Sequence, residues 1–237
     1  MTDEALLILR GLHGGYDAET VLQGVDMEVE KGEIVAVIGR NGVGKTTLMR
    51  TLSGLLRPSA GTIRFAGRDV TGDSANMRAR AGIGYIPQGR DVFPELTVRE
   101  NLTVGEVAGR GRTRPDYQLV YKFFPILEER ARQRAGTLSG GQQQQLAIGR
   151  AMMSNPTLML LDEPSEGIQP SIVKDIARNV RTLNEQTNMA VLLVEQNLDL
   201  IVSIAQRGYV MEKGRLVSRL GRDEITSREE VRRHLTI

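Results

Sequence analysis

A glycine-rich stretch that ends in a lysine and two threonines carries the clearest chemistry in this sequence. It reads Gly39-Arg40-Asn41-Gly42-Val43-Gly44-Lys45-Thr46-Thr47 and fits the pattern G-x-x-x-x-G-K-[ST] of a phosphate-binding loop. Glycines lack Cβ atoms, so backbone N–H groups can close around an anion. Lys45 supplies an ammonium group for the β- and γ-phosphates, and the hydroxyl of Thr46 suits Mg²⁺. The stretch therefore predicts a nucleotide site.

The residues on either side of this loop predict the elements that the motif needs. The β-branched run Ile34-Val35-Ala36-Val37-Ile38 precedes it and predicts a buried strand. Leu48, Met49 and Leu52 follow with the spacing of one helical face, and Gly54 is suited to end that helix. The helix start would add a positive dipole end below the phosphates. A glycine-rich turn that precedes a helix by coincidence is disfavoured, because strand and helix are both in place.

Two consecutive carboxylates follow another apolar run. Residues 158–161 predict a buried strand, and Asp162 and Glu163 come directly after it. An aspartate at a strand end beside a phosphate loop can hold Mg²⁺ through water. The next carboxylate can orient or deprotonate an attacking water. A pair of solvated strand-end acids is the alternative, and the phosphate loop argues against it.

A second helix start is predicted at Leu138-Ser139-Gly140-Gly141-Gln142. Ser139 and Gln142 have the spacing of a capping box, and Leu146 and Ala147 continue an apolar helical face. Two glycines in the first turn leave the backbone N–H groups open to an anion. The segment therefore predicts a second anion site.

Two further positions are candidates from their place in the chain. Tyr16 follows a Gly14-Gly15 turn region and could stack on a base, although the residues alone favour an ordinary half-buried tyrosine at a strand end. Gln88 follows the predicted strand 83–87, where its amide could reach a metal ion or a water. The alternative for Gln88 is a surface loop residue.

Length and composition limit the classes of protein that fit. With 237 residues the chain can bury a sizeable core, and one α/β domain with a smaller lobe suits that length. The 31 basic and 29 acidic residues nearly balance, and the basic run at 110–114 lacks interleaved aromatic side chains, so no nucleic-acid partner is expected. The sequence has no cysteine, which excludes disulfides and fits a cytosolic setting. Acids at residues 1–4 and the lack of a run of about 20 apolar residues disfavour a signal peptide and a membrane span.

The remaining pattern predicts one sheet domain with a helical insertion. Residues 92–133 predict the inserted helical lobe, in which Thr97 and Glu100 cap a short helix ending near Gly105. Its apolar cluster at 121–127 is either the core of the lobe or a docking face. Other predicted elements are strands at 6–12, 21–29, 61–67 and 190–194, helices from Pro170 and from Leu198 to Gly208, a hairpin at Lys213-Gly214 and a helix in the tail 222–237.

These pieces in this order resemble the nucleotide-binding subunit of ABC transporters, over nearly the whole chain. The most specific element is the segment 138–142, which is similar to the signature motif of that family. The resemblance implies an α/β fold with a P-loop NTPase (RecA-like) core and a mainly parallel sheet, an N-terminal antiparallel β-subdomain and an inserted α-helical subdomain. It implies a single ABC ATPase domain over 1–237, with the core and β-subdomain at 1–90 and 154–237 and the helical subdomain at 91–153.

The resemblance also implies how ATP would be held. The stretch from Gly39 to Thr47 matches the Walker A loop, and Tyr16 matches the aromatic residue that stacks on adenine, which replaces the interpretation from the residues alone. The family works as head-to-tail dimers, so the signature residues should contact the γ-phosphate of ATP in the partner. Those residues are Ser139, Gly140, Gly141 and Gln142.

Metal and catalytic roles follow in the same way. Asp162 matches the Walker B aspartate, which holds Mg²⁺ together with Thr46, and Glu163 matches the catalytic base. Gln88 matches the Q-loop glutamine, a contact of Mg²⁺ and water that also faces the membrane subunit. The implied cofactors are therefore ATP and Mg²⁺.

Two positions depart from the family pattern. Gln196 occupies the switch position, where histidine is usual. Its amide can donate and accept hydrogen bonds but does not titrate, so the acid–base role falls on Glu163, and Gln196 could only position the γ-phosphate or water. In the D-loop, Ser165-Glu166-Gly167-Ile168-Gln169, the last residue stands where many members carry aspartate.

The same departures narrow the resemblance to ATPases of branched-chain amino acid importers. The segments 87–90, 163–170 and 194–197 are similar to that group, and 39–43 and 167–170 are most similar to its urea and amide branch. This implies a second ATPase subunit (a heterodimer, with a homodimer as the alternative), two membrane permease subunits, and indirectly a periplasmic binding protein. It places the chain at the cytoplasmic face of the inner membrane. The alternative function is a non-transport ABC ATPase acting on nucleic acid or ribosomes.

Overall fold

The strands of this computed structural model form two sheets. The structure describes residues 5–17, 19–109 and 115–235. The acids at 1–4 and the basic run at 110–114, both interpreted above, lie outside the described residues. Along the described chain the strands are β1 (Leu7–Tyr16), β2 (Glu19–Val29), β3 (Ile34–Ile38), β4 (Ala60–Phe65), β5 (Arg68–Asp69), β6 (Ile83–Ile86), β7 (Leu158–Asp162), β8 (Ala190–Glu195), β9 (Arg207–Glu212) and β10 (Arg215–Leu220).

Helices of the described chain follow the strands on both sides of the larger sheet. They are α1 (Lys45–Ser53), α2 (Ala75–Ala81), α3 (Val98–Gly109), α4 (Tyr117–Phe123), α5 (Pro125–Glu129), α6 (Gly140–Met152), α7 (Pro170–Thr187), α8 (Leu198–Ile204), α9 (Arg222–Thr226) and α10 (Arg228–Leu235).

The larger sheet brings three strand ends side by side. Its order is β10-β9-β3-β8-β7-β6, and all neighbouring strands are parallel except β10 with β9. Every residue of β3, β7 and β8 is buried, as expected for strands covered on both faces. Ile38 pairs with Glu195, and Asp162 pairs with Val194. The residues that follow β3, β7 and β8 therefore meet at one edge.

The smaller sheet is antiparallel, with the order β2-β1-β4-β5. Its inner face shares one apolar core with α1 and the larger sheet, in which Leu7, Val25, Val37, Leu48 and Phe65 are buried. The N-terminal antiparallel sheet and the mainly parallel sheet agree with the predicted fold class.

The helices α3 to α6 lie between β6 and β7 in the chain. Phe124, Leu127 and Leu146 are buried there, together with Val173 of α7. The cluster at 121–127 thus lies in the core, which answers the question left open by the sequence. The capping box of α3 is present, since Thr97 Oγ1 accepts from the backbone N–H of Glu100 and Glu100 Oε2 accepts from that of Thr97. The helix continues to Gly109, four residues beyond the predicted end.

Two further predicted boundaries are wrong. Gly14 and Gly15 lie inside β1, and the chain reverses after Tyr16, with Asp17 at a φ of 50°. The helix from Leu198 ends at Ile204, and Gly208 lies in β9 instead. A Cβ atom at position 208 would stand 2.7 Å from Cδ1 of Ile225, so this glycine is needed for close packing rather than for ending a helix.

Candidate functional site

The phosphate loop joins β3 to α1 through two tightly packed glycines. Gly44 precedes α1 with a left-handed φ of 111°, and a Cβ atom there would lie 3.1 Å from Cγ1 of Val21. A Cβ atom at Gly39 would lie 2.4 Å from the carbonyl oxygen of Met211. A larger residue at position 39 would displace the backbone of β9, and one at position 44 would strain the loop backbone and press on the side chain of Val21. The loop is thereby held by its neighbours in one conformation.

An open pocket of about 400 Å³ lies over this loop. It brings together the predicted phosphate-binding residues, the Q-loop glutamine and the predicted base; the lining comprises Val21, Asn41, Gly42, Gly44, Lys45, Thr46, Thr47, Gln88 and Glu163. Among these only Val21 was not singled out from the sequence. Gly39 and Arg40 contribute through their carbonyl groups, and the carbonyl of Val43 accepts from the backbone N–H of Gly214 at 2.8 Å.

Lys45 is buried at the base of the pocket, with 4% of its surface exposed. Its Nζ donates to the carbonyl oxygens of Gly39 and Arg40, each at 2.9 Å, and lies 3.2 Å from Oε1 of Glu163. Two of the three donors of the ammonium group are used by these carbonyl oxygens, and the Glu163 carboxylate balances the charge as an ion pair. A phosphate that enters the pocket can replace these oxygens as the partner of the Lys45 ammonium group.

Asp162 is almost fully buried at the end of β7. Its Oδ1 accepts from the hydroxyl of Thr46 at 3.2 Å, and its Oδ2 accepts from the hydroxyl of Tyr85 at 3.1 Å. Burial, together with the nearby charge of Glu163, raises the pKa of Asp162 to about 6, although both hydrogen bonds and Lys45 oppose the shift. Burial and the Asp162 carboxylate also raise the pKa of Tyr85, which therefore stays a donor.

The donor set at this point fits a hard divalent cation. The Thr46 hydroxyl and the Asp162 carboxylate are adjacent, and Gln88 lines the same pocket. Within the described residues there is no cluster of three or more His, Cys, Asp or Glu side chains arranged for a metal. Mg²⁺ does not require one, because it is commonly bound by one or two protein oxygens together with phosphates and water. The residues thus fit Mg²⁺ bound jointly with a nucleotide.

Glu163 stands just past the end of β7 in an uncommon backbone conformation, with φ at 46°. Its N–H donates to the carbonyl of Val194 at 2.9 Å, which fixes the turn against β8. Its Oε1 accepts from Nε2 of Gln196 at 3.0 Å, and the same Nε2 also contacts Oδ1 of Asn41. The predicted base, the switch position and the phosphate loop are therefore in direct contact.

Glu195 is a functional candidate that sequence reasoning missed. Its side chain is buried, with 2% exposed, and its two oxygens accept three backbone N–H groups: Ser165 at 3.0 Å, Gln196 at 2.6 Å and Asn197 at 2.7 Å. One carboxylate thereby connects the loop after Glu163 to the switch loop, which contains Gln196 and Asn197. The sequence feature that could have identified Glu195 is its position as a carboxylate at the end of a buried strand, which it shares with Asp162.

The signature residues lie away from the pocket. Ser139 caps α6, and the capping box with Gln142 is present in both directions, at 3.3 and 3.0 Å. In the described part of the chain, none of the pocket-lining residues comes from 139–142. Tyr16 is also absent from that lining and lies instead, with Arg50, in the wall of a second groove of about 590 Å³. It is 40% exposed, and its hydroxyl lies 3.4 Å from Nη1 of Arg50.

Comparison with known proteins decides the family. The family model described as ABC transporter matches residues 22–166, more than half of the chain. The chain belongs to the ABC transporter family. The matched range includes the phosphate loop, Gln88, the signature segment, Asp162 and Glu163.

Individual relatives extend the match over most of the length of this ABC transporter subunit. The high-affinity branched-chain amino acid transport ATP-binding protein BraG of Pseudomonas aeruginosa is 46% identical over 206 residues, with 85% of this chain and 87% of that protein covered. The probable branched-chain amino acid transport ATP-binding protein LivF of Archaeoglobus fulgidus is 31% identical over 220 residues, with 92% and 93% covered. A nucleotide-free ATP-binding cassette from an ABC transporter has a TM-score of 0.81 at 28% identity, with 93% of each chain covered.

The activity of this ABC transporter subunit is ATP hydrolysis coupled to transport. The predicted α/β P-loop NTPase fold is confirmed. Within the described ranges, no helix is long and apolar enough to cross a bilayer.

Proposed function

We propose that this chain hydrolyses ATP for an importer of branched-chain amino acids, urea or short amides. The convergence of Lys45, Asp162, Glu163 and Gln196 at one sheet edge carries the enzymatic part of the proposal. The names of BraG and LivF support the amino acid branch, while the segment 167–170 resembles the amide branch. Other relatives are named as ATP-binding proteins of methionine import and of L-cystine transport, so the test below includes the transported substrate.

The proposed reaction uses groups already in contact. Lys45 exchanges its loop carbonyls for the β- and γ-phosphates. Glu163 orients a water and accepts its proton as the oxygen attacks the γ-phosphorus and the bond to the β-phosphate oxygen breaks. Gln196 holds Glu163 in place and does not take up a proton, because an amide has no accessible pKa.

We assign the metal contacts to Thr46, Asp162 and the amide oxygen of Gln88. When bound, Mg²⁺ neutralises charge that develops on the phosphates. Asp162 must be ionised to bind this cation. Its burial raises its pKa to about 6, so the carboxyl group loses its proton near that pH. The assignment places Mg²⁺ beside the buried end of β7.

Contacts to the adenine ring and further contacts to the γ-phosphate require residues that do not line this pocket. We assign Tyr16 to the adenine ring, and Ser139, Gly140, Gly141 and Gln142 to the γ-phosphate of ATP in a second ATPase subunit. The separation of the signature segment from the phosphate pocket supports a composite site between two subunits. We propose a heterodimer at the cytoplasmic face of the inner membrane. Contacts present only in the closed dimer would drive closure, and loss of the γ-phosphate would reopen it.

A groove beside the Q-loop suits the membrane subunit. It measures about 590 Å³ and is lined by Tyr16 of β1, by residues of α1, α2, β6, α3 and α6, and by residues of the loops that follow α1 and β6. Leu55, Phe93 and Val104 are exposed there by 62%, 45% and 38%. Exposed apolar side chains that line one groove mark interaction sites. The groove lies between the proposed helical subdomain, 91–153, and the core, so a segment docked in it would sense their relative movement.

The test is purification of the full chain from its own membranes in mild detergent, followed by reconstitution into liposomes. We expect it to co-purify with two permease subunits and a second ATPase, and to support ATP-dependent uptake of labelled leucine or urea. Val104→Asp should abolish co-purification, whereas Val217→Asp, at a 53% exposed site on β10, should not. Recovery with ribosomes or nucleic acid instead would contradict the proposal.

A further inference from the structure

The Q-loop glutamine makes a hydrogen bond to a D-loop carboxylate. Nε2 of Gln88 donates to Oε2 of Glu166 at 3.0 Å. Glu166 follows the proposed base by three residues, and its backbone N–H donates to the carbonyl of Glu163 at 3.2 Å. The contact therefore joins the pocket to the turn that carries the base.

This contact decides which end of the Gln88 amide faces the pocket. The two ends of an amide are nearly equal in shape, but one is a donor and the other an acceptor. An ionised carboxylate only accepts, so the NH₂ group must face Glu166. The amide oxygen Oε1 is then left for the pocket that Gln88 lines. An oxygen can bind Mg²⁺ or accept from water, whereas an NH₂ group would repel the metal.

Arg90 holds the backbone of Glu166 in place. Nη2 of Arg90 donates to the carbonyl of Glu166 at 2.9 Å, and the same atom would lie 3.5 Å from a Cβ atom on Gly167. The guanidinium also lies against the signature helix, since a Cβ atom on Gly140 would be 3.1 Å from Nη1. Gly89, Arg90 and Asp91 have left-handed φ values of 84°, 75° and 47°, so the backbone turns sharply at the residue that carries this guanidinium. The placement of Glu166 thus depends on both the Q-loop and the signature segment.

We infer that Glu166 is a positioning residue for the metal contact: its carboxylate fixes the Gln88 amide so that Oε1 points to the proposed Mg²⁺ site. The inference rests on the proposed function, because it assumes that Gln88 serves a nucleotide-bound cation. Partners of this kind, which orient a metal ligand without touching the metal, commonly change metal affinity by about 10- to 100-fold when removed. Because both side chains are exposed, we expect a loss of roughly tenfold, at the lower end of that range.

The experiment measures binding rather than turnover. Adenylyl imidodiphosphate is titrated into the full chain by calorimetry, once in EDTA and once over a range of Mg²⁺ concentrations. Glu166→Ala should leave the dissociation constant in EDTA unchanged and raise the Mg²⁺ concentration for half-maximal enhancement roughly tenfold. Gln88→Ala should do the same, and the double variant should lose no more than either single one. Glu212→Ala, at an exposed carboxylate on β9, is the matched control and should behave as the wild type.

Three results would overturn the inference. Glu166→Ala could weaken the nucleotide equally with and without Mg²⁺, which would show a structural role. The losses from Glu166→Ala and Gln88→Ala could add, which would show that the two residues act independently. If the wild-type chain showed no enhancement by Mg²⁺ at all, the proposed function would fail as well, and this outcome differs from the other two.

Discussion

Nε2 of Gln196 lies 3.0 Å from Oε1 of Glu163 and donates a hydrogen bond to it. The amide thus occupies the switch position as a fixed donor, where the wider family usually has a titratable ring. A carboxylate held by an uncharged donor remains free to accept a proton from water. In the mechanism proposed above, these two residues have separate roles: Glu163 accepts the proton of the attacking water, and Gln196 sets the position of the Glu163 carboxylate.

Gln196→Ala should lower turnover at saturating ATP by about 10- to 100-fold, because a hydrogen bond to a charged group contributes about 1.5–3 kcal/mol. ATP binding should be nearly unchanged, since Lys45 and the loop remain. Gln186→Ala, at an exposed glutamine of α7, is the control and should keep full activity. Steady-state ATPase assays check this. Wild-type turnover in Gln196→Ala would show that Glu163 does not depend on the amide.

Glu195→Gln should lower the free energy of unfolding by about 2–4 kcal/mol. The carboxylate accepts three backbone N–H groups, whereas an amide offers one oxygen and turns its NH₂ group toward a donor. Urea denaturation followed by circular dichroism measures the change. Glu212→Gln supplies an exposed comparison. Equal midpoints for the two variants would mean that Glu195 does not hold the switch loop.

Asp162→Asn should stabilise the nucleotide-free chain at high pH. The folded pKa of Asp162 is about 6, against an ordinary value of 3.8, so the folded state loses stability as the pH rises from 3.8 to 6 and carries the full penalty above 6. That penalty is at most about 3 kcal/mol. The difference in unfolding free energy between variant and wild type should therefore be small at pH 4 and largest above pH 6.5. Urea titrations across this pH range test it, and a difference that shrinks with rising pH would contradict the account.

Gly39→Ala should be more damaging than Gly42→Ala. A Cβ atom at position 39 would lie 2.4 Å from a backbone carbonyl of β9, whereas one at position 42 meets nothing within 4 Å. Gly42 has a left-handed φ of 78°, so alanine there costs about 1–2 kcal/mol from strain alone. We expect a loss of about 3 kcal/mol or more for Gly39→Ala by urea denaturation. The reverse order would show that the loop is not held against β9.

Local patterns predicted most of the site. The phosphate loop, the capping box at Ser139 and the strand before Asp162 depend on residues close together in sequence, and all three are present. Burial of the cluster near Phe124 could not be decided, because it depends on the distant helix α7. Glycines misled twice: Gly15 and Gly208 serve close packing within strands and not the turn or helix end that they suggested.

Tertiary contacts explain what the sequence could not reveal. Glu195 accepts from Ser165, thirty residues earlier, and Tyr85 reaches Asp162 only because β6 and β7 are neighbours. Val21 reaches the pocket from a different sheet. The sequence patterns gave no role to Glu195, Tyr85 or Val21, because strand pairing and the packing of the two sheets bring these residues to the site.

The most direct test of the central claim is Mg²⁺-dependent ATP hydrolysis per mole of chain, measured over a wide range of chain concentrations. A site completed by a second ATPase subunit predicts ATP binding with little turnover in dilute solution. Turnover should rise when the partner ATPase is added or when concentration forces two copies together. Glu163→Gln should bind ATP equally well and hydrolyse it about 10²- to 10⁴-fold more slowly under every condition. A turnover per chain that stays constant at all concentrations, or that survives Glu163→Gln, would contradict the account.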